Sequence, residues 1–140
     1  KISKTGWHII HITWTRFIGS FINTYTLVCI MFTVEDVIEI NKEFDKGNLV
    51  NRSSLEFALS SASKTKDWIT QLAYIIRSIV IDHTFEEGNK RTAVAVMIAY
   101  IKAHKKGYDV YKLDQIVIRV IKKNITDIEK IRRLIKDGIW

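Results

Sequence analysis

The chain has 140 residues, 47% hydrophobic and 26% charged, and its 22 Lys+Arg against 15 Asp+Glu leave a formal charge of +7. That is one domain's worth of chain with enough apolar residues for a sizeable core, which excludes a disordered, collagen-like or disulfide-stapled polypeptide. Cys29 is the single cysteine, so neither an intramolecular disulfide nor a zinc set is available, and a reducing cytoplasm is the expected location.

Residues 1–30 read as an apolar N-terminal extension ahead of a helical domain over 31–140. The run Phe17 to Phe32 carries no charge, but at sixteen residues it falls short of the about 17–25 that span a bilayer. It also contains Ser20, Asn23, Thr24 and Thr26. Lys1 and Lys4 ahead of an apolar stretch resemble a signal peptide, yet no Ala-x-Ala cleavage pattern follows. Met31 stands immediately before the first clear helix start. A packed N-terminal helix or strand pair, a dispensable extension and membrane contact all stay open, with membrane contact not favoured.

From Thr33 the punctuation is helical. Thr33 with Asp36 resembles a capping box, followed by Val34, Val37, Ile38 and Ile40 until Asp45-Lys46-Gly47-Asn48 stops the pattern. Ser53-x-x-Glu56 reads as a second capping box, opening a short helix through Leu55, Leu59 and Ala62. A longer helix is predicted from about Lys66 to Asp82, with Trp68, Leu72, Ile75, Ile76, Ile79 and Val80 on one face. A polar interruption from His83 to Arg91 precedes Thr92 to Ala103, which is apolar nearly all round and must be a buried central helix. Gly107 ends it. Lys112 to Lys123 is amphipathic, and Thr126-x-x-Glu129 reads as the cap of a final helix through Ile131, Leu134 and Ile135. With no Pro and no repeat, the pattern predicts an all-α bundle with short Gly or Asn turns.

The positive charge is uneven. Residues 1–30 carry three basic and no acidic residues, 31–100 eight and ten, and 101–140 eleven and five, giving +3, −2 and +6. The basic C-terminal third is spread along helices with Asp and Glu interleaved, as on a solvated surface. Without aromatic interleaving or an RNA-binding signature, nucleic acid is the weaker expectation.

The interruption His83-Thr84-Phe85-Glu86-Glu87-Gly88-Asn89-Lys90-Arg91 collects the residue types that handle a phosphate ester. Gly88 permits a tight turn into the buried helix and Asn89 is a strong N-cap, so the first free amides of that helix form an anion site to which Lys90 and Arg91 add cations. Glu87 is placed to hold Mg²⁺, which takes one or two carboxylates together with phosphate oxygens. Phe85, flanked by polar groups, should face the core and pin the loop, so that His83 and Glu87 point together into the cleft. A histidine near neutrality suits the task of deprotonating a hydroxyl.

This stretch closely resembles the signature of the Fic/Doc (Fido) family, H-[PX]-F-x-[DE]-G-N-[GK]-R. Phe32-Thr33-Val34-Glu35-Asp36-Val37 resembles the first family helix, and Asn51-Arg52-Ser53-Ser54-Leu55-Glu56-Phe57-Ala58-Leu59 is similar to an arginine-led segment of Doc-like members. The resemblance covers about residues 33–107. It implies a Fido-type helical bundle around the buried helix, with room for a short β-hairpin flap. It also implies transfer of part of ATP, with Mg²⁺, to a hydroxyl of a target protein. In its terms His83 is the base, Phe85 the structural anchor and Glu87 the Mg²⁺ ligand. Gly88 and Asn89 supply the anion hole, and Lys90 and Arg91 contact phosphates.

Three positions depart from Fic proper. Thr84 stands where many members have Pro, which is expected only to loosen the start of the loop. Lys90 replaces a Gly and Val94 a second Arg, and both point to the Doc-like, death-on-curing branch, hence to phosphoryl rather than AMP transfer. No self-inhibitory Ser/Thr-x-x-x-Glu-Gly/Asn motif is present, so restraint is expected from a separate antitoxin of a toxin–antitoxin pair. Weighed against the enzyme is a catalytically silent module of the same fold, binding an acidic partner through the basic C-terminal helices. His8, His11 and His104 read as surface or capping histidines, Glu86 as solvent-facing, and Cys29 as a core or membrane-facing residue. Arg52 is either a flap residue guiding the target or an ordinary loop charge.

Overall fold

The computed structural model describes residues 32–140; the readings of residues 1–30, with Cys29, His8 and His11, lie outside the described residues. Every regular element among them is an α-helix: α1 (Val34–Lys42), α2 (Arg52–Ser63), α3 (Trp68–Val80), α4 (Asn89–Ala103), α5 (Val110–Lys122) and α6 (Ile128–Asp137). None of these helices is long and apolar enough to cross a membrane.

Polar side chains start the helices. The expected capping box at α1 is present, with Thr33 accepting from the Asp36 amide and Asp36 accepting from the Thr33 amide. At α2 the cap is Asn51 rather than Ser53: Asn51 Oδ1 accepts from the Ser54 amide at 3.3 Å, while Glu56 takes the Arg52 guanidinium at 2.8 Å. At α6 it is Asp127 rather than Thr126, accepting from the Lys130 amide at 3.1 Å. Asn and Asp cap at least as well as Ser and Thr, so the nearby amide and carboxylate win. Asp67 and Asp109 cap α3 and α5.

Two helices form the centre. Every residue of α4 from Thr92 to Ile101 is buried, as expected of a central helix. Alongside it α3 buries Leu72, Ala73, Ile75, Ile76 and Ile79 completely, and each large one stabilises by about 1.5–3 kcal/mol. α3 packs against α2, α4 and α6, whereas α4 also takes α1 and α5. The C-terminal turn of α3, held by these contacts, is the fixed post from which the polar interruption departs.

The connection between α1 and α2 runs along that interruption. Segment 48–51 lies antiparallel to segment 84–86 with one bridge, Leu49 to Phe85. Val50 N and Asn51 N donate to Thr84 O at 2.9 and 3.2 Å, and Glu86 N donates to Asn48 O at 3.0 Å. A β-hairpin flap is not formed among the described residues; this single bridged segment stands in its place.

The basic C-terminal third forms the outer faces of α5 and α6. Arg119 and Lys122 lie in the last turn of α5, where cations oppose the negative helix end. Arg132 and Arg133 both approach Glu129, at 3.9 and 3.5 Å.

Candidate active site

His83 is exposed, two residues past the α3 C-cap Ile81, at φ 49°. Left-handed backbone costs an L-residue roughly 1–2 kcal/mol, so the neighbouring peptides must enforce it, and both are tied down. Asn51 Nδ2 donates to Asp82 O at 3.0 Å. On the other side Thr84 O receives the amides of Val50 and Asn51. Thr84, wholly buried, donates its hydroxyl to Ser78 O at 2.9 Å. Its oxygen also lies 3.0 Å from Ser78 Oγ, which in turn is 2.9 Å from Ser54 Oγ. Ser54 completes the chain by donating to Asp82 Oδ2. The expectation that Thr84 loosens the loop is therefore overturned: its hydroxyl fastens the loop to α3.

Phe85 is 1% exposed and anchors the middle of the loop in the core. Glu86 faces solvent, with Asn48 Nδ2 3.2 Å from its carboxylate. Glu87 is also exposed, but its carbonyl is held from beneath, accepting from Asn41 Nδ2 at 2.9 Å.

Gly88 turns the chain into α4 with φ 77° and ψ 14° and is itself the N-cap residue. An added Cβ there would stand 3.1 Å from Asn41 Nδ2. Asn89, expected as the N-cap, is the first helical residue, and its side chain bonds back instead: Oδ1 accepts from Phe85 N at 3.0 Å and Nδ2 donates to Phe85 O at 2.8 Å. Its contribution to an anion hole is therefore its backbone amide. A left-handed Gly88 followed by a helical Asn89 is the backbone pattern that turns successive N–H groups toward a common anion. The amides of Asn89, Lys90 and Arg91 also lie ahead of any intrahelical acceptor.

Lys90 and Arg91 are exposed and form no ion pair among the described residues. The Arg91 guanidinium lies 5.5 Å from the Phe44 ring centroid, a face that favours a cation. Helix start, dipole and two free cations make a positive edge suited to a di- or triphosphate. Among the described residues no group of three ligating side chains gathers for a resident metal. The exposed carboxylate of Glu87 beside that edge fits Mg²⁺ arriving with phosphate, since phosphate oxygens and water complete its coordination.

The structure thus brings His83, Phe85, Glu87, Gly88, Asn89, Lys90 and Arg91 onto one turn. Arg52 is held elsewhere, on the outer surface, by Glu56 at 2.8 Å and Glu35 at 3.4 Å. The hydrogen bond it donates to Glu56 above all raises its pKa, so two carboxylates compete with any guiding role. Beside the motif an open cleft of about 450 Å³ is lined by Asn51, Ser54, Phe57, Arg77 and Asp82 among others, with Phe57 63% exposed. Two supporting residues are absent from the sequence-based set. Asn41 has a signal, a polar residue four positions beyond Val37 on the core face of α1; Phe44 has none.

The Fic/DOC family model matches residues 32–101, half of the chain and all of the site. No curated protein and no solved structure matches the chain.

Proposed function

The chain belongs to the Fic/DOC family, and on that premise we propose that it is a nucleotide-dependent transferase that moves the γ-phosphoryl group of ATP onto a hydroxyl side chain of a target protein. The observation that carries this reading is the left-handed turn at Gly88, which starts the buried helix after the exposed His83 and Glu87 and directly before the exposed Lys90 and Arg91. His83 takes the proton of the acceptor hydroxyl as its oxygen bonds to the γ-phosphorus. The bond from that phosphorus to the β–γ bridging oxygen breaks, and ADP leaves. Lys90, Arg91 and the amides at the start of α4 offset the charge spread over the transferring group, where most of phosphoryl-transfer catalysis resides. Mg²⁺, held by Glu87, would neutralise phosphate charge.

The orientation of the triphosphate follows from two side chains. Lys90 carries an exposed side chain where a glycine would carry none, and Val94, apolar and wholly buried, stands where a second guanidinium for the far phosphate would have to be. This favours the γ-phosphorus, rather than the α-phosphorus, in line with the hydroxyl. The alternative is AMP transfer of the Fic type. The cleft beside Asp82, with Phe57 on its rim, supports a target segment lying next to His83. In this reading the protein acts as a toxin held in check by a separate antitoxin.

Incubation of the protein with a cell lysate and ATP labelled at either the α or the γ position tests the reading. Label from the γ position should enter target protein and vanish with His83→Ala, while that variant still binds Mg-ATP. Label from the α position instead means AMP transfer. Undiminished labelling by His83→Ala removes His83 as the base, and absence of Mg-dependent ATP binding leaves a silent module.

A further inference from the structure

Asn41 is 0% exposed and uses its whole amide. Nδ2 donates to Glu87 O at 2.9 Å and to Thr92 Oγ1 at 3.1 Å, and Oδ1 accepts from the Gly47 amide at 2.9 Å. The chemistry fixes which way the amide faces, because Glu87 O can only accept and Gly47 N can only donate. One side chain on α1 therefore joins the loop that follows it, the last residue before the Gly88 turn and the first turn of α4. Thr92 extends the same hold by donating its hydroxyl to Gly88 O at 2.8 Å.

The Glu87–Gly88 peptide is planar and trans, so its carbonyl and its N–H point to opposite sides. With the carbonyl drawn to Asn41, the Gly88 N–H points away from it, to the far side of the peptide. The same plane sets the direction from which the Glu87 side chain leaves the backbone. We infer that Asn41 is a positioning residue for phosphate and Mg²⁺ binding: it holds the Glu87–Gly88 peptide so that the amide cradle and the carboxylate face one bound Mg-nucleotide. This rests on the function proposed above and adds the device that keeps the site in register.

Asn41→Asp in the full chain keeps an acceptor for Gly47 and replaces the donor to Glu87 O by a second oxygen. Gln71→Leu is the control: Gln71 is 2% exposed and donates to Thr65 O at 2.7 Å, so its loss removes a comparable buried amide at the opposite end of α3. Calorimetry with Mg-ATP, at a temperature where melting curves show each variant folded, should find affinity down about 10–100-fold in Asn41→Asp, as for other groups that orient a metal ligand. Gln71→Leu should bind as the wild type does. Equal losses in both variants, or none in Asn41→Asp, overturn the inference and leave the reading of the site standing; a wild type that does not bind Mg-ATP overturns both. Should Asn41→Asp not fold, ¹⁵N spectra of the wild type decide. The Asn41 side-chain amide resonances should shift on saturation with Mg-ATP, and their invariance overturns the inference.

Discussion

Thr84 shows how much one hydroxyl settles. It lies in the loop at the point where a proline would supply stiffness through its ring, and here stiffness comes from hydrogen bonds at both ends of the residue. Its carbonyl receives Val50 N and Asn51 N, and its hydroxyl reaches Ser78 O at 2.9 Å in a fully buried setting. The two ties leave His83 little freedom to leave its left-handed backbone, which is how a strained residue persists at a functional site. Thr84→Val keeps the shape and removes the hydroxyl, taking the side-chain donor from Ser78 O and leaving Ser78 Oγ with Ser54 alone. We expect the variant to lose about 1–3 kcal/mol of stability, read from the midpoint of urea unfolding, and to lose transfer activity more steeply than Mg-ATP affinity because His83 is misplaced. A midpoint equal to that of the wild type removes the hydroxyl chain as the fastening of the loop.

The proposed phosphate binding rests on the N-terminus of α4, and Gly88 makes that terminus. An alanine at φ 77° carries about 1–2 kcal/mol of left-handed strain and sets a Cβ 3.1 Å from Asn41 Nδ2. Gly88→Ala should therefore unfold at lower urea and bind Mg-ATP more weakly even where folded, as calorimetry on the folded variant can show; unaltered affinity means the turn does not shape the cradle. The helical elements themselves are largely legible in the sequence. Apolar spacing locates α3 and α5, and the unbroken apolar run locates α4. The departures are local: α4 takes Gly88 rather than Asn89 as its N-cap because the Asn89 side chain bonds back to Phe85 instead. Asn51 and Asp127 displace Ser53 and Thr126 as caps because several good capping residues stand within two positions of each other. The motif is legible because its residues are consecutive. The partners of Asn41 and Phe44 are not, since they meet Glu87 and Arg91 only after α1 folds onto α4, and spacing along one segment carries no record of such a meeting.

At the scale of the whole molecule, the two ends of α3 carry different loads. Its C-terminal end leads into the His83 loop; its N-terminal end is tied to α6 through Asp67, whose carboxylate accepts from Arg132 Nε at 2.7 Å and from the Thr70 hydroxyl at 2.5 Å and amide at 3.1 Å. Burial pushes the Asp67 carboxyl up, but the bonds from Arg132 and Thr70 together outweigh it, and its pKa falls below the ordinary 3.8. A carboxyl lowered in the folded state binds protons more readily when unfolded, so its contribution is fully present above the unfolded value and is lost as pH falls through the folded one. Glu129 also lies 3.9 Å from Arg132, so part of the guanidinium's attraction remains when Asp67 is protonated. The expected result is a melting temperature that is flat from neutral pH to about pH 5 and falls below about pH 4, with a shallower fall in Asp67→Asn. α3 is about 20 Å long at 1.5 Å per residue, so the loosening begins at the α3–α6 seam, far from His83. Hydrogen exchange during acidification should show amides of α6 losing protection before those of the first turns of α4. Simultaneous loss in both, or an identical acid profile in Asp67→Asn, means that the Asp67–Arg132 tie does not set the acid limit of the fold.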